Sequence, residues 1–350
     1  MSQSLPPYFN IPSPYPGTGE LLAPKKIGHN FALFCFAKLQ YDIKEIQKKW
    51  VGHLLLLSNT NARLESRLSE LLARHREQAA HIDWSYHEYI PWEKGRSFKA
   101  EPWEESQQVL PNGIYMAIET ALLTEVNLPW FTSGLSTTFR GSFQVLQDFI
   151  HTWTAEEDQH SNLLETYLIV TRNGNPDELH HLRKRVVEQG WQPDYQTPIE
   201  TMAYTSIQER ATMVFYLNVA KAAQTYDPDL SQLLRRLAKD ETLHYAFYRD
   251  AVKAHLELEP NFVLPLAQVM MKFRMPGAVM PDFPERERII AKEANYSPIH
   301  YFHQVVNTLV DNWGIRSLRP TAAEAETARL QLLAYHDRLR RVAERIGRKR

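Results

Sequence analysis

A repeated set of glutamate and histidine residues constrains the fold of this chain more than any other feature of its sequence. The pattern is one glutamate followed 32 residues later by a Glu-x-x-His pair, and it occurs twice with equal spacing. The first copy comprises Glu125, Glu157 and His160, and the second comprises Glu209, Glu241 and His244. A single Glu-x-x-His pair arises often by chance in a chain with 14 histidines. Six matching positions in order make chance a poor explanation.

Each copy lies in a stretch with the apolar spacing of a buried helical face. Glu157 and His160 fall on that face, because residues three apart sit one above the other on a helix. Leu234, Leu237 and Tyr248 form the matching stripe around the second pair. The stripe around the first pair consists of Leu146, Ile150, Trp153, Leu164 and Leu168.

Charged groups on a buried face require a partner, since an unpaired buried charge is costly. Two glutamates and two Glu-x-x-His pairs are the ligand set of a carboxylate-bridged di-iron or di-manganese centre inside a four-helix bundle. The oxygen-rich donor set suits either metal. Each histidine is expected to use its far ring nitrogen on an acceptor behind it, and Asp240 and Glu156 are candidates. The alternative for both acidic residues is exposed surface charge.

Composition describes an ordinary globular chain and excludes several classes of protein. The 350 residues carry a formal net charge of −1 and are 43% hydrophobic, so no basic excess is available for binding nucleic acid. No apolar run is long enough to indicate a membrane span. Cys35 is the only cysteine, which excludes a disulfide or a thiolate metal site within one chain. Without a secretory or transit signal at its start, the chain is expected to be cytoplasmic.

The sequence divides into a short arm and one large domain. Residues 1–25 contain six prolines and two glycines and are expected to form an extended arm. Residues 26–350 are expected to form an all-α domain, a four-helix core with additional flanking helices. The gap between His160 and Glu209 is longer than either ligand spacing, which favours the long crossover of a ferritin-like bundle.

Further elements are predicted around the core. Residues 82–111 are expected to form an irregular, aromatic-rich connection packed on the bundle. Pro129 is expected to end or kink the helix that carries Glu125. A loop is predicted near residues 275–284. Helices are predicted over 59–78, 176–189, 262–273, 297–313 and 322–346.

Several segments resemble the soluble acyl-acyl-carrier-protein desaturases, the stearoyl-carrier-protein Δ9 type and its bacterial relatives. The similar segments lie between residues 60 and 345. They are T-E-V-N-L-P, T-A-E-E-D-Q-H, Y-T-S-I-Q-E-R-A-T, A-K-D-E-T-L-H, W-S-Y-H-E-Y-I-P-W, F-R-M-P-G-A-V-M-P-D-F and L-V-D-N-W-G-I-R-S-L. The I-P-W, M-P-G and F-Y-R-D segments resemble the actinobacterial branch more than the plant enzymes.

This resemblance implies an enzyme that introduces a double bond into a saturated acyl chain carried on acyl-carrier protein. It implies that the six repeated residues bind two iron ions, that O₂ is the oxidant and that ferredoxin supplies electrons. It also implies a homodimer. The carrier of this family is acidic, so Arg63, Arg67 and Arg74 on the helix predicted over 59–78 become candidates for docking it. The alternative for these arginines is a solvated helix face.

The resemblance assigns roles to three further residues. Thr212, one helical turn after Glu209, matches a threonine near the oxygen-binding side, where a hydroxyl can assist proton delivery. A threonine at such a position otherwise commonly bonds to its own helix backbone. Trp84 and Asp240, together with His160, match a proposed electron-transfer route to the metal. The alternative for Trp84 is a core aromatic residue.

Departures from the family leave parts of the function open. The segment between Glu125 and Glu157 is shorter than in the plant enzymes, so chain length and double-bond position stay open. Two alternative functions also remain. One is hydroxylation of a carrier-bound substrate, and the other is iron handling without an organic substrate, which the length of the chain argues against.

Overall fold

The computed structural model describes residues 54–279 and 282–348, and the regular structure within these ranges is helical throughout. The all-α class is therefore confirmed for the described residues. The predicted arm, residues 1–25, lies outside them, as do residues 26–53 of the predicted domain. The α-helices are α1 (Ala62–Ala80), α2 (Asn112–Glu125), α3 (Leu128–Thr138), α4 (Gln144–Val170), α5 (Pro176–Gln189), α6 (Pro198–Ala223), α7 (Pro228–Leu258), α8 (Val263–Lys272), α9 (Phe283–Glu293), α10 (Pro298–His300), α11 (Asn307–Asn312) and α12 (Ala323–Gly347).

Helices α2, α4, α6 and α7 form the bundle that carries the six repeated residues. α2 packs on α4 and α6 packs along the length of α7, while contacts of α2 with α6 and of α4 with α7 close the ring. The apolar stripes predicted around the two Glu-x-x-His pairs face this bundle core. Trp153, Leu164 and Leu168 are buried on α4, and Leu234 and Leu237 are buried on α7.

Three helices begin at a proline that follows a capping side chain. Pro176, Pro198 and Pro228 are the first residues of α5, α6 and α7. The preceding residue in each case accepts a hydrogen bond from a free backbone N–H of the first turn, and proline at the first position loses no hydrogen bond there. These caps are Asn175, Thr197 and Asp227. The starting points of two bundle helices, α6 and α7, are therefore set by local sequence.

The connections between bundle helices follow the predicted pattern. The helix predicted over 176–189 is α5, and it is followed by extended chain up to Pro198, so a long crossover joins α4 to α6. Pro129 lies in the first turn of α3, where α2 has just ended at Glu125. The connection before α2 is irregular apart from the short 3₁₀ turns Tyr86–Tyr89, Trp92–Lys94 and Glu105–Gln107.

Helix α1 covers one side of the bundle and contacts α4 and α7. Its inner face consists of buried leucines and one histidine, His75. The arginines of its outer face are exposed, as the amphipathic pattern predicts. The buried leucines are Leu64, Leu68, Leu71 and Leu72.

The carboxyl-terminal helices pack against the far side of the bundle. α8 contacts α6 and α12, and the π-helical segment Tyr301–Val306 joins α10 to α11 and contacts α6. Helix α9 was not predicted from the sequence, which suggested a loop followed by a helix only from residue 297. It packs on α2, where Nη1 of Arg286 lies 2.7 Å from Oε2 of the buried Glu119.

Candidate metal centre

The six repeated residues converge inside the bundle. Glu125 is the last residue of α2, and Glu209 lies in the middle of α6. The two Glu-x-x-His pairs face each other from α4 and α7. Both histidine side chains are completely buried. Of the four glutamates in the set, Glu157, Glu209 and Glu241 are buried, and Glu125 is partly exposed as a residue.

Two overlapping groups of donor atoms can be distinguished. Within each group, the ligand atoms lie within 4.8 Å of one another. We call the group around Glu125 and His160 the His160 half-site, and the group around Glu209 and His244 the His244 half-site. Glu157 belongs to both groups, while Glu241 belongs to the second.

Glu157 presents one oxygen to each half-site. Its Oε2 atom lies 3.0 Å from Nδ1 of His160, and its Oε1 atom lies 2.9 Å from Nδ1 of His244. Glu241 has the same arrangement at longer range, with Oε1 3.4 Å from Nδ1 of His160 and Oε2 3.7 Å from Nδ1 of His244. Two carboxylates thus span the two half-sites, whereas Glu125 and Glu209 each lie at one end.

Several buried donor atoms of this cluster have no hydrogen-bond partner in the described structure. They are Nδ1 of His160, Nδ1 of His244 and Oε2 of Glu241. Buried polar atoms are nearly always hydrogen-bonded, so three orphaned atoms within one cluster are unusual. A divalent cation accepts lone pairs from imidazole nitrogen and carboxylate oxygen without any hydrogen. The residues present therefore fit a bound metal ion.

The pKa values of the end glutamates also favour a bound cation. Burial, together with the neighbouring Glu157 and Glu241, raises the pKa of Glu125 to about 8. Burial and the proximity of Glu241 raise the pKa of Glu209 well above its ordinary value. Carboxylates packed this closely repel one another, and positive charge between them is needed for all to be ionised. Divalent cations would provide that charge.

His160 is supported from behind by the predicted acceptor. Its Nε2 atom lies 3.3 Å from Oδ2 of Asp240, and the indole N–H of Trp84 donates to the same oxygen at 2.8 Å. Arg236 pairs with the other oxygen of Asp240, and its guanidinium lies over the Trp84 ring, 5.1 Å from the centroid. The structure thus brings Trp84, Asp240 and His160 into one chain of contacts, although their predicted role is not tested by this geometry.

His244 is supported by the second predicted acceptor, Glu156. Nε2 of His244 lies 2.8 Å from Oε2 of Glu156, so the acceptor expected for each histidine is confirmed as a contact. A residue that the sequence analysis missed completes this arrangement. His75 on α1 also contacts Glu156 through its Nε2 atom. Its spacing from Leu68, Leu71 and Leu72 could have revealed it as a buried histidine.

Two aromatic residues also contact the outer glutamates, and neither was predicted to do so. The indole N–H of Trp153 donates to Oε1 of Glu209 at 3.2 Å. The hydroxyl of Tyr216 donates to Oε1 of Glu125. Each end glutamate thus has a neutral donor on α4 or α6 that fixes its orientation. Trp153 lies on the buried stripe predicted around Glu157 and His160, but the hydrogen bonds of both aromatics could not be assigned without the structure.

No hydrogen bond among the described residues connects the Thr212 side chain to the cluster. It lies on α6 one turn after Glu209 and is partly buried. Its hydroxyl has no hydrogen-bond partner among the described residues, unlike Thr205 and Ser206 on the same helix, which bond to their own backbone. The back-bonding alternative is therefore not seen for Thr212, and its proton-delivery role stays a prediction.

The arginines predicted to dock a partner differ in their surroundings. Arg67 pairs with Glu70 at 2.7 Å, and Arg74 pairs with Asp250 at 2.6 Å. Arg63 forms no ion pair within residues 54–279 and 282–348. No helix in those ranges combines the length and apolar character needed to cross a lipid bilayer.

Comparison with known proteins adds independent information. Residues 58–350 match the family model described as fatty acid desaturase. Among curated proteins, the proposed acyl-acyl-carrier-protein desaturase DesA1 of Mycobacterium tuberculosis is 33% identical over 264 residues, which cover 72% of this chain and 77% of that protein. The chloroplastic stearoyl-acyl-carrier-protein 9-desaturase of Elaeis guineensis var. tenera is 26% identical over 279 residues, covering 75% and 71%.

A solved structure supports the fold. The crystal structure of the proposed acyl-carrier-protein desaturase DesA2 from Mycobacterium tuberculosis H37Rv superposes with a TM-score of 0.59 and 22% sequence identity. The match covers 76% of this chain and 99% of that chain. The predicted ferritin-like fold is therefore confirmed, and the mycobacterial relatives agree with the predicted bacterial branch.

Proposed function

Because this chain belongs to the fatty acid desaturase family, we propose that it desaturates a saturated acyl chain carried as a thioester on acyl-carrier protein, with O₂ as the oxidant. Relatives named as acyl-acyl-carrier-protein desaturases support the choice of substrate. The observation that carries the proposal is the position of Glu157, whose two oxygens face the histidines of the two half-sites. A carboxylate in that position can join two metal ions.

The proposed cofactor is a pair of iron ions per chain. Glu125 and His160 would hold one ion, Glu209 and His244 would hold the other, and Glu157 and Glu241 would contact both. When bound and reduced, the iron pair supplies the O₂ activation needed to break an unactivated C–H bond. Iron is chosen over manganese because of the family, since the donor set suits either.

The protein's own residues keep the donors oriented and the site dry. Trp153 and Tyr216 hold the end glutamates, and the acidic residues Asp240 and Glu156 hold the histidines with Nδ1 turned to the cluster. Leu164 and Leu237, one helical turn from His160 and Glu241, are completely buried, which keeps water away from the donors. A dry and rigid donor set of this kind favours substrate oxidation over side reactions with solvent.

Three residues transfer electrons or protons in this proposal. Trp84 and Asp240 form the electron path to the His160 half-site, with ferredoxin as the donor. The unpartnered hydroxyl of Thr212 delivers protons near Glu209. Residues 26–350 act as one catalytic domain in a cytoplasmic homodimer.

A single-turnover assay tests the proposed reaction. The purified iron-loaded protein is chemically reduced, mixed with O₂ and a panel of C14 to C20 acyl-carrier-protein substrates, and the acyl products are weighed by mass spectrometry. The expected product is two mass units lighter than the substrate. It should be absent with the Glu157→Ala and Glu241→Ala variants, which lack the shared carboxylates.

Each other result contradicts the proposal in a specific way. A product one oxygen atom heavier would identify a hydroxylase. Oxygen consumption driven by Fe²⁺ alone, with no change in any acyl chain, would indicate iron handling. Retention of the lighter product in both alanine variants would exclude the carboxylate-bridged site as the centre of the reaction.

A further inference from the structure

His75 is the one polar side chain among the buried residues of α1. The other buried residues of that helix are leucines. The His75 residue is only 3% exposed, so its imidazole is removed from water. Burying a polar ring costs free energy unless the ring is hydrogen-bonded. Its contacts should therefore indicate what the ring does there.

The polar edge of His75 is directed at Glu156. Its Nε2 atom lies 3.0 Å from Oε2 and 3.2 Å from Oε1 of that carboxylate. Nδ1 of His75 is buried and has no hydrogen-bond partner in the described structure. A bare ring nitrogen can remain unprotonated, so the proton belongs on Nε2, which donates to Glu156.

Glu156 contacts His244 as well as His75. The carboxylate oxygen Oε2 that accepts from His75 also lies 2.8 Å from Nε2 of His244. With the proton of His244 on Nε2, its Nδ1 lone pair is free to face the carboxylate cluster. The side chain of Glu156 is 24% exposed, and His75 and His244 both contact its carboxylate.

Aromatic rings fix the orientation of His75. Phe149 meets the ring edge-on at a centroid distance of 5.1 Å, and Phe247 does so at 6.3 Å. The His244 ring lies nearly parallel to it at 6.0 Å. A ring held between such walls cannot easily turn its donor away from Glu156. The donor is preorganised by packing.

The two half-sites therefore have equivalent supports. Trp84 donates to Asp240 behind His160, and His75 donates to Glu156 behind His244. In each case a ring N–H contacts a carboxylate, and the carboxylate contacts a histidine of the cluster. Trp84 follows α1 in the chain and His75 lies within it.

We propose that His75 is a positioning residue of the His244 half-site: through Glu156 it fixes the ring of His244 and strengthens metal binding there. The inference rests on the proposed function only in requiring that the cluster binds metal. Removing a group that orients a metal ligand typically weakens metal binding by about 10- to 100-fold. His75 should have an effect of that size on one of two metal ions.

A titration of the metal-free, full-length protein with Co²⁺ tests this assignment, because the visible absorption of Co²⁺ reports its coordination. The wild type is expected to bind two ions. His75→Phe keeps a ring between Phe149 and Phe247 but removes the donor, so one ion should bind about 10- to 100-fold more weakly with altered absorption bands. His75→Gln retains an N–H donor and should recover most of the lost affinity.

Leu72→Ala provides the matched control. Leu72 is buried on the same face of α1 one turn before His75, and its truncation should lower stability without changing Co²⁺ affinity. Wild-type affinity for both ions in His75→Phe would overturn the proposal. Equal weakening by Leu72→Ala would also overturn it, because the effect would then be one of packing alone.

A second variant covers the case in which His75→Phe does not fold. Glu156→Gln preserves the shape of the intermediate residue but removes the carboxylate, so it should weaken the same ion, and unchanged affinity would contradict the proposal. These readouts need no acyl substrate. Failure of the desaturase assay with an intact His75 effect would refute the proposed function alone, and the reverse result would refute only the role of His75.

Discussion

The indole N–H of Trp84 donates a hydrogen bond of 2.8 Å to Oδ2 of Asp240. The same oxygen lies 3.3 Å from Nε2 of His160, so contacts are continuous from a partly exposed ring to a candidate metal ligand. The neighbouring Arg236 guanidinium lies over that ring and also pairs with Asp240. In the proposed function, these contacts form the path by which electrons from ferredoxin reach the His160 half-site.

Trp84→Phe should separate electron delivery from chemistry. Without the indole N–H, the contact to Asp240 is lost, and turnover driven by ferredoxin should fall by about 10-fold, equivalent to about 1.4 kcal/mol in the barrier. The single-turnover yield of chemically reduced protein should be unchanged. Trp92→Phe is the control, since Trp92 is exposed and its indole donates to the carbonyl of His87. Equal losses in both assays would contradict an electron-transfer role.

Removing a shared carboxylate should have a larger effect on metal content than removing an end carboxylate. Glu157 faces both histidines, so Glu157→Ala should lose both metal ions. Glu209 lies at one end, so Glu209→Ala should retain the ion of the His160 half-site. Iron per chain, measured on folded protein after desalting, distinguishes the two variants. Identical iron content in both would argue against the division into half-sites.

His255 makes the stability of the protein depend on pH. Burial lowers its pKa to about 4 from an ordinary value of 6.5, so the unfolded chain binds the proton first as the pH falls. The contribution of neutral, buried His255 to the free energy of unfolding is fully present above pH 6.5. It is lost progressively as the pH falls to 4. At pH 5 the loss should reach about 2 kcal/mol.

His255→Leu supplies the comparison for this effect. The variant lacks the titrating group, so urea unfolding at pH 7.5 and pH 5 should show a smaller loss of stability on acidification than in the wild type. Both proteins must be measured in the same metal state. Equal losses in wild type and variant would mean that the histidine is not the responsible group.

Arg63 is the arginine of the α1 outer face on which partner docking should depend most. Arg67 and Arg74 are already paired with Glu70 and Asp250, whereas Arg63 has no ion-pair partner in the described residues. Arg63→Glu should therefore raise the Michaelis constant for the acyl-carrier-protein substrate more than Arg67→Glu does. Salt should reduce the difference, because exposed charges are screened. A Michaelis constant that does not change would refute docking at this face.

The helical core and the donor cluster could be predicted from the sequence because both follow from local periodicity. Residues spaced by three and four positions share a helical face, so the stripe through Glu157 and His160 had to face the bundle. The Asn-Pro and Thr-Pro pairs at residues 175 and 197 mark helix starts in the same local way. The equal spacing of the two copies then indicated that the faces meet.

Features that depend on distant contacts could not be predicted in this way. Helix α9 is rich in charged residues, and Ile290 is its one buried residue. Its apolar pattern is therefore weak. Its packing depends on Arg286 reaching Glu119, far earlier in the chain. The contact of His75 with Glu156 likewise joins residues on different helices. Periodicity places such a residue on a face but does not identify its partner.

The prolines that begin α6 and α7 set the distance from each helix start to a glutamate of the candidate metal centre. Pro198 precedes Glu209 by eleven residues and Pro228 precedes Glu241 by thirteen. At 1.5 Å per residue, each carboxylate lies at a set height of about 16 to 20 Å above a fixed helix start. One residue inserted between the proline and the glutamate would rotate the carboxylate by about 100° around the helix axis and remove it from the cluster. Length variation in relatives should therefore avoid these two intervals and accumulate in the crossover before Pro198.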